Sequence, residues 1–252
     1  MDFSNEELLI AVIARLLKGD GHIAVGVLSP IPGSAAMLAQ ARSRTPVKVS
    51  IIGSRIAPYR TDGGVDFFDC AGQGRLDAFF LSGGQIDGHA NINLLGVGAY
   101  PGTTARWSGS FGSAYLYFVV PKVILLREEH TKRTLVEQVD FISAPGSSPA
   151  NVYRPGGPHA LVTSRCLFMF ERDLFGEAKG GFRLESLHPG VTIKEIRDNT
   201  GFEFACPDEV PQTPVPDAAM LALIRGEVAG KIADPYPRFA ADVLGFEARD
   251  TG

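Results

Sequence analysis

The order of elements in this chain predicts an α/β protein: a mainly parallel sheet covered by helices, with a β-rich middle and C-terminal portion. Three observations carry that expectation. Before Gly53 the apolar pattern runs strand, helix, strand, a rhythm that calls for parallel pairing under a covering helix. The middle third instead sets short apolar runs between Gly-rich turns. Finally, 45% hydrophobic and 21% charged residues, with 29 Gly and 17 Pro in 252, is a globular composition rather than a disordered or fibrous one. A domain of this length buries roughly 70–75% of its unfolded surface, so its core needs neither disulfides nor a structural metal.

Ser4 followed by Glu7 forms a capping box, with Phe3 and Leu8 placed for a hydrophobic staple, so a helix begins here. Its apolar residues Leu8, Leu9, Val12, Ile13, Leu16 and Leu17 recur at helical spacing, pack one broad face on a core and stop at Gly19 and Gly21. His22 to Leu28 reads as a strand, Pro30 and Pro32 as a turn, Ser34 to Arg44 as an Ala-rich helix, and Val47 to Ile52 as a second strand ending at Gly53. The apolar runs Ala90 to Val97, Tyr115 to Val120 and Val123 to Leu126 follow, separated by glycine turns that bring backbone close to a neighbour: Ser82-Gly83-Gly84, Gly96 to Gly98, Gly102, and Gly109 to Gly112. Leu161 to Phe170 and Gly181 to Leu187 read as paired strands, and Thr192 with Glu195 opens a second boxed helix that Gly201 ends. Composition turns Pro-rich from Pro207, which divides the chain into an α/β domain over 1–213 and a C-terminal arm over 214–252, helical from Ala218 to Ile232.

Net charge is −4 with no Lys/Arg block, which leaves nucleic acid without an electrostatic footprint. Cys70, Cys166 and Cys206 are odd in number and lack ligand spacing, arguing against both a disulfide framework and a zinc site. The acidic N-terminus and the short apolar runs lead to the expectation of a soluble cytoplasmic chain without a membrane partner. Neither a G-x-G-x-x-G fingerprint nor a P-loop is present.

An ordered set of motifs adds to this reading: Ser82-Gly-Gly-Gln-Ile-Asp87, Leu95-Gly96, Trp107, Gly109-Ser-Phe-Gly112, Val123-Ile-Leu-Leu-Arg-Glu-Glu-His130, the helix opening at His188-Pro-Gly-Val-Thr192, and Thr200-Gly-Phe-Glu-Phe204. In that order, over most of residues 1–213, the chain resembles the β-subunit, or second half, of the class I coenzyme A transferases. Family transferases carry Ser-Glu-Asn-Gly at the end of the second strand, and its glutamate attacks the thioester. Here that stretch is Ser50-Ile-Ile-Gly53, and Ile51 stands where the nucleophile belongs. An isoleucine has no lone pair to offer, so double displacement cannot run through it.

What the resemblance then implies is a β-subunit of the family's ring-cleaving branch. These heteromeric enzymes of steroid (cholesterol) breakdown hydrolyse a carbon–carbon bond in a ring-bearing CoA thioester, with the general base a glutamate of the α-subunit. An α2β2 assembly is implied, with CoA as part of the substrate and no separate cofactor. No residue of this chain is assigned as catalytic and none as a metal ligand; Ser50, Gly53, Gly83, Gly84, His89, Asn91, Gly109 and Gly112 are the expected substrate-binding set. An ordinary CoA-transferase β-subunit and a non-catalytic ligand-binding module are the alternatives.

Other polar residues have structural as well as functional readings. Glu128, Glu129 and His130 read as a structural or subunit-contact cluster before a catalytic one. Asn91 and Asn93 could donate to a thioester oxygen or simply build turns. Arg55 and Arg60 could meet a CoA phosphate or another anionic group. Cys70 and Trp107 read as packing residues, and His159 as a loop residue.

Overall fold

The structure is a computed structural model that describes residues 2–58, 64–174 and 180–247. They form two compact units: the residues up to Phe80 together with those from Pro214 onward, and Leu81–Thr213.

The first unit opens with α1 (Asn5–Leu16), whose capping box is formed: Ser4 Oγ accepts from the Glu7 amide at 3.2 Å, and the Glu7 carboxylate accepts from the Ser4 amide at 2.9 Å. β1 (His22–Val25), α2 (Pro30–Arg42), β2 (Lys48–Ile51), α3 (Val65–Gly72) and β3 (Ala78–Leu81) follow. β1 lies between β2 and β3, parallel to both. The turn expected at Pro30 and Pro32 is instead the first turn of α2. Proline is tolerated there because first-turn amides have no intrahelical acceptor to lose. Nor does α1 bury only one face, since Glu7 through Ala14 are buried without a break.

The second unit begins with two small antiparallel pairs, β4 (Gln85–Ile86) with β5 (Ile92–Asn93), and β6 (Gly96–Val97) with β7 (Ala105–Arg106). The run Tyr115 to Val120 falls largely in a helix, α4 (Ser113–Val119), because Leu116, Tyr117 and Val120 bury one helical stripe. Then β8 (Lys122–Arg127) pairs parallel with β9 (Pro158–Thr163), and β10 (Cys166–Glu171) runs antiparallel to both β9 and β11 (Gly181–Leu187). What read as one strand from Leu161 to Phe170 is therefore two, divided at Ser164-Arg165. The boxed helix is α5 (Ile193–Asn199), capped by Thr192 and Glu195. Phe168 sits against Phe182, Phe202 and Phe204, with ring centroids 6.0, 6.1 and 5.1 Å apart, at the heart of this unit.

The chain past Pro214 belongs to the first unit. α6 (Ala218–Leu223) passes through a π-helical turn at Ile224–Val228 into α7 (Ala229–Ile232), and α8 (Pro237–Asp242) follows. Met220, Leu221, Ile224, Val228 and Ile232 supply its buried stripe. Arg225 grips the buried Glu7 carboxylate through Nε at 2.6 Å and Nη2 at 2.9 Å. Burial works to raise that carboxyl; the Arg225 guanidinium and the Ser4 amide outweigh it and hold the group below its ordinary value. Arg15 donates to the Pro214 and Val215 carbonyls. α1 is thus held by chain that arrives about 200 residues later, and Ile232 and Tyr236 of that chain reach Gly33 of α2.

Behind the Glu128-Glu-His130 motif lies a buried network of hydroxyls and imidazoles. The Thr200 hydroxyl donates to the Ile196 carbonyl at 2.8 Å, so His130 Nε2 must donate to Thr200 at 3.0 Å, and Nδ1 accepts from Thr163 at 2.9 Å. His188 Nε2 donates to the Thr163 carbonyl at 3.0 Å, and its Nδ1 accepts from Thr213 at 2.9 Å. Both rings are held neutral: burial lowers each from 6.5 to about 4, helped at His130 by Arg165 and His188 and opposed at His188 by the Thr163 carbonyl. Cys166 beside them is an inert thiol, pushed up to about 12 by burial.

Two expectations follow from this packing. The first concerns Gly84: a Cβ there would come within 2.1–2.4 Å of three atoms of the Trp107 indole. Gly84→Ala should therefore lower unfolding stability by about 1–3 kcal/mol, measured by urea denaturation, and Trp107→Leu in the same chain should restore much of the loss. The second concerns the two histidines, whose folded pKa values lie below 6.5. Their contribution to stability is complete above pH 6.5 and is lost as pH falls toward 4, at about 2–3 kcal/mol per pH unit near pH 5. Imidazole resonances of His130 and His188 that do not move between pH 7.5 and 5.5 would accord with this; titration of either near 6.5 would contradict it.

Candidate functional site

Open α/β sheets bind ligands beyond the carboxyl ends of their parallel strands. At that end of β2 the chain makes a closed loop. The Ile51 amide donates to the Ala57 carbonyl at 2.8 Å, the Ser54 amide to the Ile51 carbonyl at 3.1 Å, and the Ala57 amide to Ser54 Oγ at 3.0 Å. Gly53 sits in the loop at φ +91, with open space where a side chain would be. Asp234 closes it. Its Oδ2 accepts from Ser54 Oγ at 2.8 Å and from the amides of Arg55 at 2.6 Å and Ile56 at 3.3 Å, while Oδ1 accepts from Arg55 Nε at 2.8 Å. Burial works to raise this carboxyl, but the Arg55 side chain, the Ser54 hydroxyl and the two amides hold it at about 2. The Arg55 side chain is itself 89% exposed. Arg60 lies outside the described residues.

The two residues before this loop point inward. Ile51 is fully buried; its Cδ1 faces Gly33 of α2, where Ile232 and Tyr236 also converge. Ser50 is buried as well. His22 Nδ1 lies 2.9 Å from the Arg75 carbonyl, which can only accept, so Nε2 accepts from Ser50 Oγ at 2.9 Å and that hydroxyl is committed to the interior.

In the second unit a buried carboxylate, Asp87, organises the loop that holds His89 and Asn91. Its Oδ1 accepts from both their amides at 3.0 Å, and its Oδ2 accepts from Asn91 Nδ2 at 3.1 Å. Asn91 Oδ1 in turn accepts from the Gly146 amide at 3.1 Å. His89 is exposed, and its Nδ1 donates to the Gly180 carbonyl at 3.1 Å. Gly146 and Gly180 both line a cavity of about 480 Å³ with Ser147, Ser148, Arg154 and Arg172. His89 and Asn91 therefore bond to the wall of this cavity. Arg154 is a wall element too: all three of its nitrogens donate to carbonyls, of Gly156, Pro145 and Tyr117.

The remaining expected glycines lie in loops and at a helix cap. Gly83 lies against Ile92, where a Cβ would come within 2.5 Å, and Gly84 lies under Trp107. The approach that the Gly-Gly pair permits is thus made by the chain's own side chains. Gly109, at φ +98, and Gly112, the N-cap of α4, flank Phe111, a 90% exposed residue at φ +46. Asn93 is buried and spends its amide on Gln85, Gly96 and Leu95. Glu129 is tied to Arg133, Arg127 and Thr131. Asp234, 180 residues from Ser54, had no local signal that could single it out. Among the described residues, no group of three or more His, Cys, Asp or Glu could hold a metal ion, and no helix is long and apolar enough to cross a membrane.

The chain is 28% identical over 249 residues to a 3-oxoadipate CoA-transferase subunit of Pseudomonas knackmussii, covering 88% of this chain and 92% of that one. It is also 28% identical over 242 residues to the cholesterol ring-cleaving hydrolase IpdB subunit of Rhodococcus jostii, covering 89% and 92%. Among solved structures, IpdAB of Rhodococcus jostii superposes with a TM-score of 0.74 at 26% identity, over 90% of this chain and 94% of that one. The family model for coenzyme A transferase matches residues 7–199, and the chain belongs to that family.

Proposed function

We propose that this chain is the β-subunit of a heteromeric hydrolase that cleaves a carbon–carbon bond in a ring-bearing CoA thioester of steroid degradation. The observation that carries this reading is Ile51, a fully buried hydrocarbon at the position where family transferases keep their glutamate nucleophile. Without a carboxylate there, an acyl-enzyme cannot form on this chain by the family route. Hydrolysis of a β-keto system needs only a base and a place for enolate charge. Water adds to the ketone carbon, the bond to the α-carbon breaks, the former ketone leaves as a carboxylate, and the α-carbon takes up the proton. The base is a glutamate of an α-type partner, in an α2β2 assembly, and CoA enters as part of the substrate rather than as a separate cofactor. This chain supplies pocket wall through the Gly53 loop, closed by Ser54 and Asp234.

The similarity to a 3-oxoadipate CoA-transferase keeps a transferase as the second reading. One experiment separates them. The chain co-expressed with its α-type partner should hydrolyse a ring-bearing CoA thioester without an acyl acceptor, while the chain alone should be inactive. Hydroxylamine or borohydride trapping should leave residues 50–54 unmodified by mass spectrometry. Acceptor-dependent CoA transfer, with a CoA adduct on a carboxylate of this chain, would establish the transferase instead.

A further inference from the structure

β1 and β2 are parallel neighbours, so the loops that follow them emerge at the same edge of the sheet. A single tripeptide of the C-terminal segment, Asp234-Pro235-Tyr236, holds both. Asp234 closes the loop after β2 through Ser54, Arg55 and Ile56. The Tyr236 hydroxyl accepts from the Ser29 amide at 3.3 Å and donates to the Gly26 carbonyl at 3.2 Å, bridging the loop after β1. Pro235 between them fixes its own φ, so the two side chains are offered at a set spacing. The tripeptide lies beyond residue 199, where the family match ends.

The β1 loop is strained where it is most exposed. Leu28 has φ +53, a left-handed conformation unfavourable for leucine, yet it is 89% exposed. Such a conformation persists only where its surroundings over-determine it. The β2 loop exposes Arg55 in the same manner: Asp234 takes its backbone amide and Nε, and the rest of the guanidinium faces outward. A planar guanidinium fixed at one edge is suited to receive an oxyanion group at the other.

We propose that Asp234 and Tyr236 are positioning residues that hold the two strand-end loops together, and that Arg55, aimed by Asp234, receives an anionic group of the ligand. This rests on the CoA-thioester reading for the ligand's identity. The anionic group is either a CoA phosphate or a carboxylate of the acyl portion.

The test uses the co-purified two-subunit complex carrying Asp234→Asn, Tyr236→Phe or Arg55→Ala. Amide hydrogen exchange reads the loops without any need for turnover. Asp234→Asn should speed exchange at Arg55 and Ile56, and Tyr236→Phe at Ser29, each by about tenfold or more, while the complex stays assembled. In turnover, Asp234→Asn and Arg55→Ala should each raise KM for the thioester about tenfold with kcat within about twofold, and the double variant should match Arg55→Ala alone. Thioesters with and without an acyl carboxylate distinguish the sources: an equal loss on both assigns a CoA phosphate, and a loss confined to the carboxylated substrate assigns the acyl group. Faster exchange with wild-type KM, or exchange unchanged in both Asp234→Asn and Tyr236→Phe, overturns the proposal. Should Asp234→Asn not assemble, Tyr236→Phe and Arg55→Ala carry the same comparisons. If the wild-type complex turns over no CoA thioester, the functional reading fails separately. Calorimetry with adenosine 3′,5′-bisphosphate and with a dicarboxylate then decides the Arg55 site: binding of either probe weakened at least about fivefold by both Asp234→Asn and Arg55→Ala supports it, and unchanged or absent binding overturns it.

Discussion

Parallel strands end together, and their loops cannot pair with one another as hairpins do. In the first unit this leaves the loops after β1 and β2 with backbone amides that no neighbouring strand can satisfy. The chain meets the need with two tail side chains: the Tyr236 hydroxyl takes the Ser29 amide after β1, and a carboxylate serves the loop after β2. Asp234 takes two amides, a hydroxyl and a guanidinium nitrogen, and these outweigh the desolvation of the charge and keep it ionised down to about pH 2. Everything that brings Asp234 into place therefore shapes that edge: the buried stripe of the tail, the Arg225 grip on Glu7, and the Arg15 contacts at Pro214 and Val215.

The second unit solves a different problem. Its strands carry Thr163, Cys166 and Ser186, and the residue after β11, His188, follows them, into an interior already filled by phenylalanines. Polar groups in such a place are tolerable only when every one has a partner. The chain of hydroxyls running from Ser186 through Thr213 to His188, and from Thr163 through His130 to Thr200, provides partners with both imidazoles neutral. His130 of that motif is used here to close a core, and the Glu129 carboxylate beside it is tied to the half-buried Arg127 and the exposed Arg133.

The chain departs from the transferase motif of its family at Ile51. The scaffold is that of the family, yet the strand end that family transferases use for attack is hydrocarbon, packed toward Gly33 with Ile232 and Tyr236. A scaffold can persist while its reaction changes, because the sheet depends on burial and the reaction depends on one functional group. The same tail residue, Tyr236, faces that apolar position with its ring and the β1 loop with its hydroxyl. In this chain, the packing at Gly33, where Ile51 also converges, and the loop after β1 thus share one tail side chain.

Local physics was readable from residue order alone. Both capping boxes form as the Ser4/Glu7 and Thr192/Glu195 spacings require, since a cap is a contact between residues three apart. The parallel rhythm of the first strands and the family motifs were equally legible, as was the absence of a carboxylate at position 51. Proline misled at α2 because a turn and a helix's first turn accept it for the same reason. What only the tertiary structure decided were the contacts between distant residues: Trp107 above Gly84, Glu7 under Arg225, Asp234 beneath the loop of Ser54. No periodicity encodes them, because each arises when two stretches that are locally indifferent to one another are forced together by burial, and the hydrogen bonds are then chosen by what burial leaves unpaired.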